Sequence, residues 1–301
     1  MEKKTNQKHA YLLMAHHRKD LLDLLLEELD DPRNDVFMHI DKRCKEFTYA
    51  DFHLKHAGLY PVKQIEVNWG GYSQIKCEFL LMEEAKKHGP YAYYHLIQGS
   101  SFPLKNQDAL HQFYDERQGT EFITIDDPIL EERVRQFFLF NEYGRRPGRI
   151  YKWQKYISFG LLRLQQLLKF DHFKQFHMEY RKGFALWSVT DEFLTYVLDN
   201  KKLVKKMLRF STSGDEIMMQ TLAYNSKFRD SINFIDDYYA SSLWVSTWGL
   251  EEKYNKPRKN NNFEYEDLEY LMSGEFNYAR KFEGEDGIKL IEEIKKRIHD
   301  D

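Results

Sequence analysis

Asp215 and Glu216 stand side by side in the run Ser213-Gly214-Asp215-Glu216, and either carboxylate could take a proton from a hydroxyl. The same pair suits the first turn of a helix, where Ser213 would cap free N–H groups and acids meet the positive end of the dipole. On these residues alone the helix-start reading is the preferred one. Basic side chains toward the end of the chain include Lys281, in FNYARKF, and Arg258, in KPRKNNN beside Lys256 and Lys259. Such a basic loop can also be ordinary solvated surface. Metal chemistry is not indicated: no D-x-D triplet occurs, and His53 and His56, three apart, lack a third ligand at metal-like spacing. Cys44 and Cys77 form no C-x-x-C pair and are too few for a disulfide framework.

These residues need a frame, and the first half of the chain supplies one. YLLMA (Tyr11 to Ala15), KDLLDLLLEEL, DVFMHI ending at Ile40, a strand near Gln64 to Val67, a helix from about Ser73 to Lys87 and YAYYHLI (Tyr91 to Ile97) alternate short apolar runs with helical spacing. That alternation predicts an α/β fold with a mostly parallel sheet and crossover helices. Ligands of such sheets sit beyond the carboxyl ends of the strands. The loops there are His16-His17-Arg18, Asp41-Lys42-Arg43, Trp69-Gly70-Gly71 and Gly99-Ser100-Ser101, where a nucleotide is expected. The last third returns to alternation, with strands at Leu186 to Thr190 and Leu243 to Trp248, helices in DEFLTYVL and DEIMMQTLA, and GIKLIEEIKKRI as a closing surface helix.

Between Glu142 and Lys182 ten Arg/Lys face three acids, although the whole chain of 301 residues carries a net charge of only −3. The overall charge argues against bulk nucleic-acid binding. LLRLQQLLKFDHFKQF predicts an amphipathic helix that turns its apolar side to the core and its basic side to water; a membrane-surface role is the less favoured alternative. A single domain is expected, with about 9–125 as a nucleotide-binding half, about 128–182 as the helical basic segment and about 183–301 as the catalytic and acceptor half. The amino-terminal apolar run is broken by His16 and His17, too short for a signal peptide or membrane span, which gives the expectation of a cytoplasmic protein.

Several blocks, in unbroken order, resemble the core 2/I-branching β-1,6-N-acetylglucosaminyltransferase family, glycosyltransferase family 14, which also holds the peptide O-xylosyltransferases. They are His9 to His16 with Leu21-Leu22, His39-Ile40-Asp41-Lys42-Arg43, Val67 to Ser73, Gly99 to Leu104, Gly183 to Thr190, Ser213 to Glu216, and Phe276 to Phe282. The resemblance implies a GT-A-like (Rossmann-like) domain and inverting transfer of a sugar from a UDP-sugar to a glycan hydroxyl, without a metal or other cofactor. It places the general base on Glu216 and the diphosphate cations on Lys281 and Arg258, the latter by spacing back from the lysine. Lysine or arginine would then take the place of a metal, because a diphosphate cannot leave into a low-dielectric pocket uncompensated.

For the uridine the resemblance carries over Asp41, the main chain around Met14, Ala15 and His16, and the ring of Trp69. An aspartate can accept from the uracil imide and an indole can stack on the base; the alternatives are a turn aspartate and a half-buried core tryptophan. Ser100 and Ser101 stand where the family usually has an aspartate, and Phe184 replaces a usual serine. With Trp187 and Asp215, the two serines are assigned to the donor sugar or to positions behind it. N-acetylglucosamine is the first sugar expected and a bacterial surface polysaccharide the first product. A lipid-linked acceptor and peripheral contact with the inner membrane face are further options. The competing readings are a nucleotide-binding α/β protein of other activity and a noncatalytic glycan-binding protein.

Overall fold

Strands β1 (His9–Ala15) and β2 (Asn34–Ile40) bury nearly every side chain, as near-continuous apolar runs do when a sheet is covered on both faces. The computed structural model describes residues 8–126, 132–143, 149–234, 241–247 and 261–300. After β1, helix α1 (Lys19–Leu29) turns Leu21, Leu22, Leu25, Leu26 and Leu29 inward. Each such side chain contributes about 1.5–3 kcal/mol on burial. The helix leads back to β2, and a longer connection with a 3-10 turn at Tyr49–Asp51 reaches β3 (Gly58–Pro61). That third strand precedes the stretch from Gln64 to Val67 where the sequence reading put it. Asp30, just past α1, accepts the N–H groups of Lys55 (2.8 Å), His56 (2.7 Å) and Ala57 (2.9 Å), and so brings the chain into β3 earlier.

Helix α2 (Tyr72–His88) crosses back to β4 (Tyr93–Gln98). The first sheet has the order β3-β2-β1-β4-β6, parallel except for β6 (Ser188–Thr190), which runs antiparallel to β4 at one edge. From β4 the chain steps through Gly99-Ser100 into a second, three-stranded sheet. There β5 (Ser101–Pro103) pairs with β8 (Tyr278–Arg280), and β8 with β7 (Trp244–Ser246). Helix α3 (Gln107–Asp115) follows β5, capped by Asn106, whose side chain accepts from Ala109 N.

Between the first sheet and α3 lies a buried polar network. His9 Nδ1 meets His95 Nε2 at 3.1 Å, and His95 Nδ1 meets Ser188 Oγ at 2.8 Å; Tyr114 donates to the same Oγ, and His111 Nε2 lies 2.9 Å from Asn34 Oδ1. Burial drives all three imidazoles toward the neutral form, His111 down to about 4.

Short helix α4 (Glu132–Arg135) and the long α5 (Arg149–Leu167) lie in the middle segment. The excursion is pinned at its base, where Asp126 and Lys182 pair across an antiparallel bridge. Helix α5 ends in a Schellman closure: Lys169 takes the left-handed conformation (φ 49°), Lys169 N donates to Gln166 O and Phe170 N to Gln165 O. The core-facing orientation expected for this helix is not what forms. Among its described side chains none is buried; Trp153 is 71% and Leu167 81% exposed. The side turned inward carries Gln154, Ser158 and Gln165 with Leu161 and Leu162, all half-buried.

Beyond β6, helices α6 (Asp191–Asp199), α7 (Lys201–Leu208) and α8 (Met218–Tyr224) complete the flank, the last following a 3-10 turn at Gly214–Glu216. Helix α9 (Leu268–Leu271) precedes β8, and α10 (Gly287–Asp300) packs Leu290, Ile291, Ile294 and Ile298 toward α1, with Lys295 on Glu27 (2.8 Å).

Candidate active site

Three strand ends are tied together by main chain. Asp41 N donates to Ala15 O (2.9 Å) and Gly99 N to Met14 O (3.0 Å), so the ends of β1, β2 and β4 form one rim. The Asp41 carboxylate accepts Arg43 N (2.8 Å), Arg43 Nε (3.0 Å) and Val67 N (2.9 Å). Burial pushes this carboxyl up, but the Arg43 guanidinium and these N–H groups outweigh it and hold the group below the usual range. Asp41 thereby fixes the loop that leads to Trp69. That indole is 67% exposed, which rules out the core-tryptophan alternative.

His16 is exposed, its ring 4.0 Å from that of His17, and burial followed by the His17 charge lowers its pKa. His17 Nε2 reaches Glu283 Oε1 at 3.0 Å, and Lys281 Nζ reaches Glu283 Oε2 at 2.5 Å. Although burial opposes it, these two partners pull Glu283 down to about 2. Lys281 follows β8, and Phe282 N donates to Ser100 O (3.1 Å), which fixes the lysine beside the end of β4. A small cleft lined by His16, His17, Arg18, Gln98, Gly99 and Ser100 opens here.

In many α/β folds the first helix after such a cleft offers its N-terminus to a phosphate. Here that seat is filled from within the chain: Glu46 accepts the N–H groups of Arg18 (3.0 Å) and Lys19 (2.8 Å).

Glu216 is brought to the same face by two loops held back to back. Ser213 N donates to Gly70 O (2.9 Å), where Gly70 has φ +72° and Ser213 φ 50°, so the glycine-bearing turn after Trp69 and the turn before Glu216 interlock. Ser213 therefore does not cap the following turn; no side-chain cap bond forms, because its backbone is left-handed rather than extended. Gln74 Nε2, in the first turn of α2, donates to Asp215 Oδ2 at 2.7 Å. Burial, then the neighbouring Glu216 charge, pushes Asp215 up to about 7. Glu216 is part-exposed, and its carboxylate accepts Arg133 NH1 at 2.6 Å.

Arg280 links the two halves. It feels the charges of both Glu283 and Asp215, and its buried Nε has no acceptor among the described residues. Arg43 and Arg280 lay inside blocks named from the sequence but were given no role there, and Glu283 and Arg133 were not named at all. Only Glu283 left a signal, two residues after Lys281 at the end of a strand.

Ser100, Ser101, Asp215 and Trp187 are all buried, Trp187 completely. Of the two positions considered for them, contact with the sugar or a place behind it, burial leaves Trp187 the latter. Arg258 lies outside the described residues, as do Arg145, Arg146 and Trp248.

The structure thus gives a mostly parallel sheet flanked by helices, with charged side chains gathered at its strand ends. The profile of the Core-2/I-Branching enzyme family matches residues 9–271, and the chain belongs to that family of glycosyltransferases. The match includes Glu216 and ends before Lys281. Among solved structures the chain is similar to mouse xyloside xylosyltransferase 1 in its apo form, at 10% identity, 90% of this chain and 96% of that one covered, and a TM-score of 0.39.

Proposed function

We propose that the protein transfers a sugar, N-acetylglucosamine first among the candidates, from a UDP-sugar to a glycan hydroxyl with inversion and without a metal. Glu216 takes the acceptor proton as the hydroxyl oxygen bonds to the anomeric carbon. The bond from that carbon to the diphosphate oxygen breaks, and UDP leaves with the electron pair. Lys281 and Arg258 stabilise the departing charge. Asp41, the main chain at Met14, Ala15 and His16, and the exposed Trp69 ring receive the uridine, with Ser100, Ser101, Trp187 and Asp215 behind the donor sugar. A glycan of a bacterial surface polysaccharide, carried on lipid at the inner membrane face, is the acceptor this reading favours.

What supports it most is that Asp215, next to Glu216, and Glu283, which pairs with Lys281, both act electrostatically on the buried Arg280. The filled helix N-terminus at Glu46 also suits a diphosphate held by side chains. Arg133 holds the Glu216 carboxylate in one orientation until an acceptor hydroxyl shares it. The test is a panel of UDP-sugars scored for slow hydrolysis and thermal stabilisation: one sugar should stand out, and no response to any of them would sink the proposal.

A further inference from the structure

Nine of the twelve large apolar side chains left exposed among the described residues fall between Leu139 and Phe170. They are not scattered. Trp153, Tyr156, Ile157, Leu164, Leu167 and Leu168 project from one side of α5 and the turn that extends it, within an arc of about 120° at the helical repeat. The opposite side is attached to the body: Gln165 accepts Phe137 N (2.8 Å) and donates to Phe137 O (3.1 Å). The apolar stripe thus points away from the only core this helix has, among the described residues.

Charge selects what covers it. From Arg149 to Phe170 the sequence holds Arg149, Lys152, Lys155, Arg163 and Lys169 and no acid. A second copy of the helix would bring like charges together, whereas an anionic lipid surface would meet them. Trp153 and Tyr156 are the ring types that settle at the boundary between headgroups and acyl chains. Continuity with the rest of the molecule points the same way. The helix runs directly into Asp171 and Phe173, which with Arg135, Lys174 and Arg181 line a cavity of about 330 Å³. Arg135 is two residues from Arg133, the partner of Glu216.

We infer that α5 lies in the plane of an anionic bilayer, its Trp153-to-Leu168 stripe inserted among the acyl chains and its lysines and arginines at the headgroups, with the cavity held at the membrane surface. The inference deepens the lipid-linked acceptor reading, yet vesicle binding is measured without turnover, so the two can fail separately.

The experiment is co-sedimentation of the full chain with phosphatidylcholine vesicles, with and without phosphatidylglycerol, at low and physiological salt. The wild type should pellet with the anionic vesicles and only partly release at physiological salt, because apolar insertion is not screened. Leu164→Gln, Leu167→Gln and Leu168→Gln combined should lower binding about tenfold or more. The same variant should keep its melting temperature, since all three side chains are exposed. Lys155→Gln, Arg163→Gln and Lys169→Gln combined should weaken binding chiefly to the anionic vesicles and flatten the salt dependence. No pelleting of the wild type, equal pelleting of the leucine variant, or a wild-type dimer that the leucine variant dissolves would each overturn the inference, the last by making the stripe a contact between copies.

Discussion

At the strand ends, charged groups are drawn inward and answered: Asp41 by Arg43, Glu283 by His17 and Lys281, Glu216 by Arg133. Along α5 the arrangement is reversed, with apolar side chains turned outward and glutamines turned to the body. Burying charges in pairs fixes geometry, because each partner's lone pairs and protons point in set directions. Leaving an apolar stripe outside does nothing for the fold. On the readings proposed above, the first region holds a small ligand in one pose and the second meets a surface.

Changes at the rim should therefore act on chemistry and affinity, and changes on the outer helix should not, in assays with a soluble acceptor. The largest effect is expected at Glu216. Glu216→Gln should lower turnover by about a hundredfold to ten-thousandfold, the range of a general base, while UDP affinity stays within about twofold. Turnover close to wild type would reduce Glu216 to a partner of Arg133.

The second effect concerns the buried frame under the rim. His111 stays neutral in the fold down to about pH 4 against an ordinary value of 6.5, so below pH 6.5 the unfolded chain binds the extra proton. Stability from this group is thus complete above 6.5 and is lost as the pH falls, by about 3 kcal/mol at pH 4. His111→Gln lacks this loss. Urea unfolding should find the wild type's advantage over the variant smaller at pH 4 than at pH 6.5 by that amount, and a constant difference would mean that the native histidine protonates normally.

Third, Lys281→Ala removes a charge that would act on the diphosphate in both ground and transition states. UDP affinity by calorimetry should fall roughly thirtyfold, about 2 kcal/mol. Unchanged affinity would detach Lys281 from the site and leave the rim without its main cation. The smallest effect is expected from excess EDTA, which should alter activity by less than about twofold if side chains alone stabilise the leaving group. Loss restored by manganese would show that the rim works through a metal.

Legibility in the sequence followed locality. The parallel sheet was readable because β1, β2 and β4 are short apolar runs with polar loops at their ends, and α1 matched its predicted span because its leucines repeat at helical spacing. The strand expected at Gln64 to Val67 moved to Gly58–Pro61 because Asp30, far back in the chain, caps that stretch. Helix α5 was readable as a helix but not in its orientation: periodicity says that a face is apolar and is silent on what lies against it. Arg133 and Arg280 were invisible for a related reason. Their importance lies in partners dozens of residues away, and one sequence holds no record of such pairings.

The base of the helical excursion has a consequence of another kind. Asp126 and Lys182 pair across one bridge, and next to them Gly183 N donates to Glu216 O (2.9 Å) where an added Cβ would lie 1.8 Å from Thr124 O. The chain thus leaves and re-enters the frame at nearly the same point, beside a glycine that tolerates no side chain. Apart from Arg133, which pairs with Glu216, what is spliced between those two residues adds no net displacement to the sheet, so its length can change while the register of Glu216 is kept. On the proposed reading, such changes could alter what the excursion meets without rebuilding the frame around Glu216.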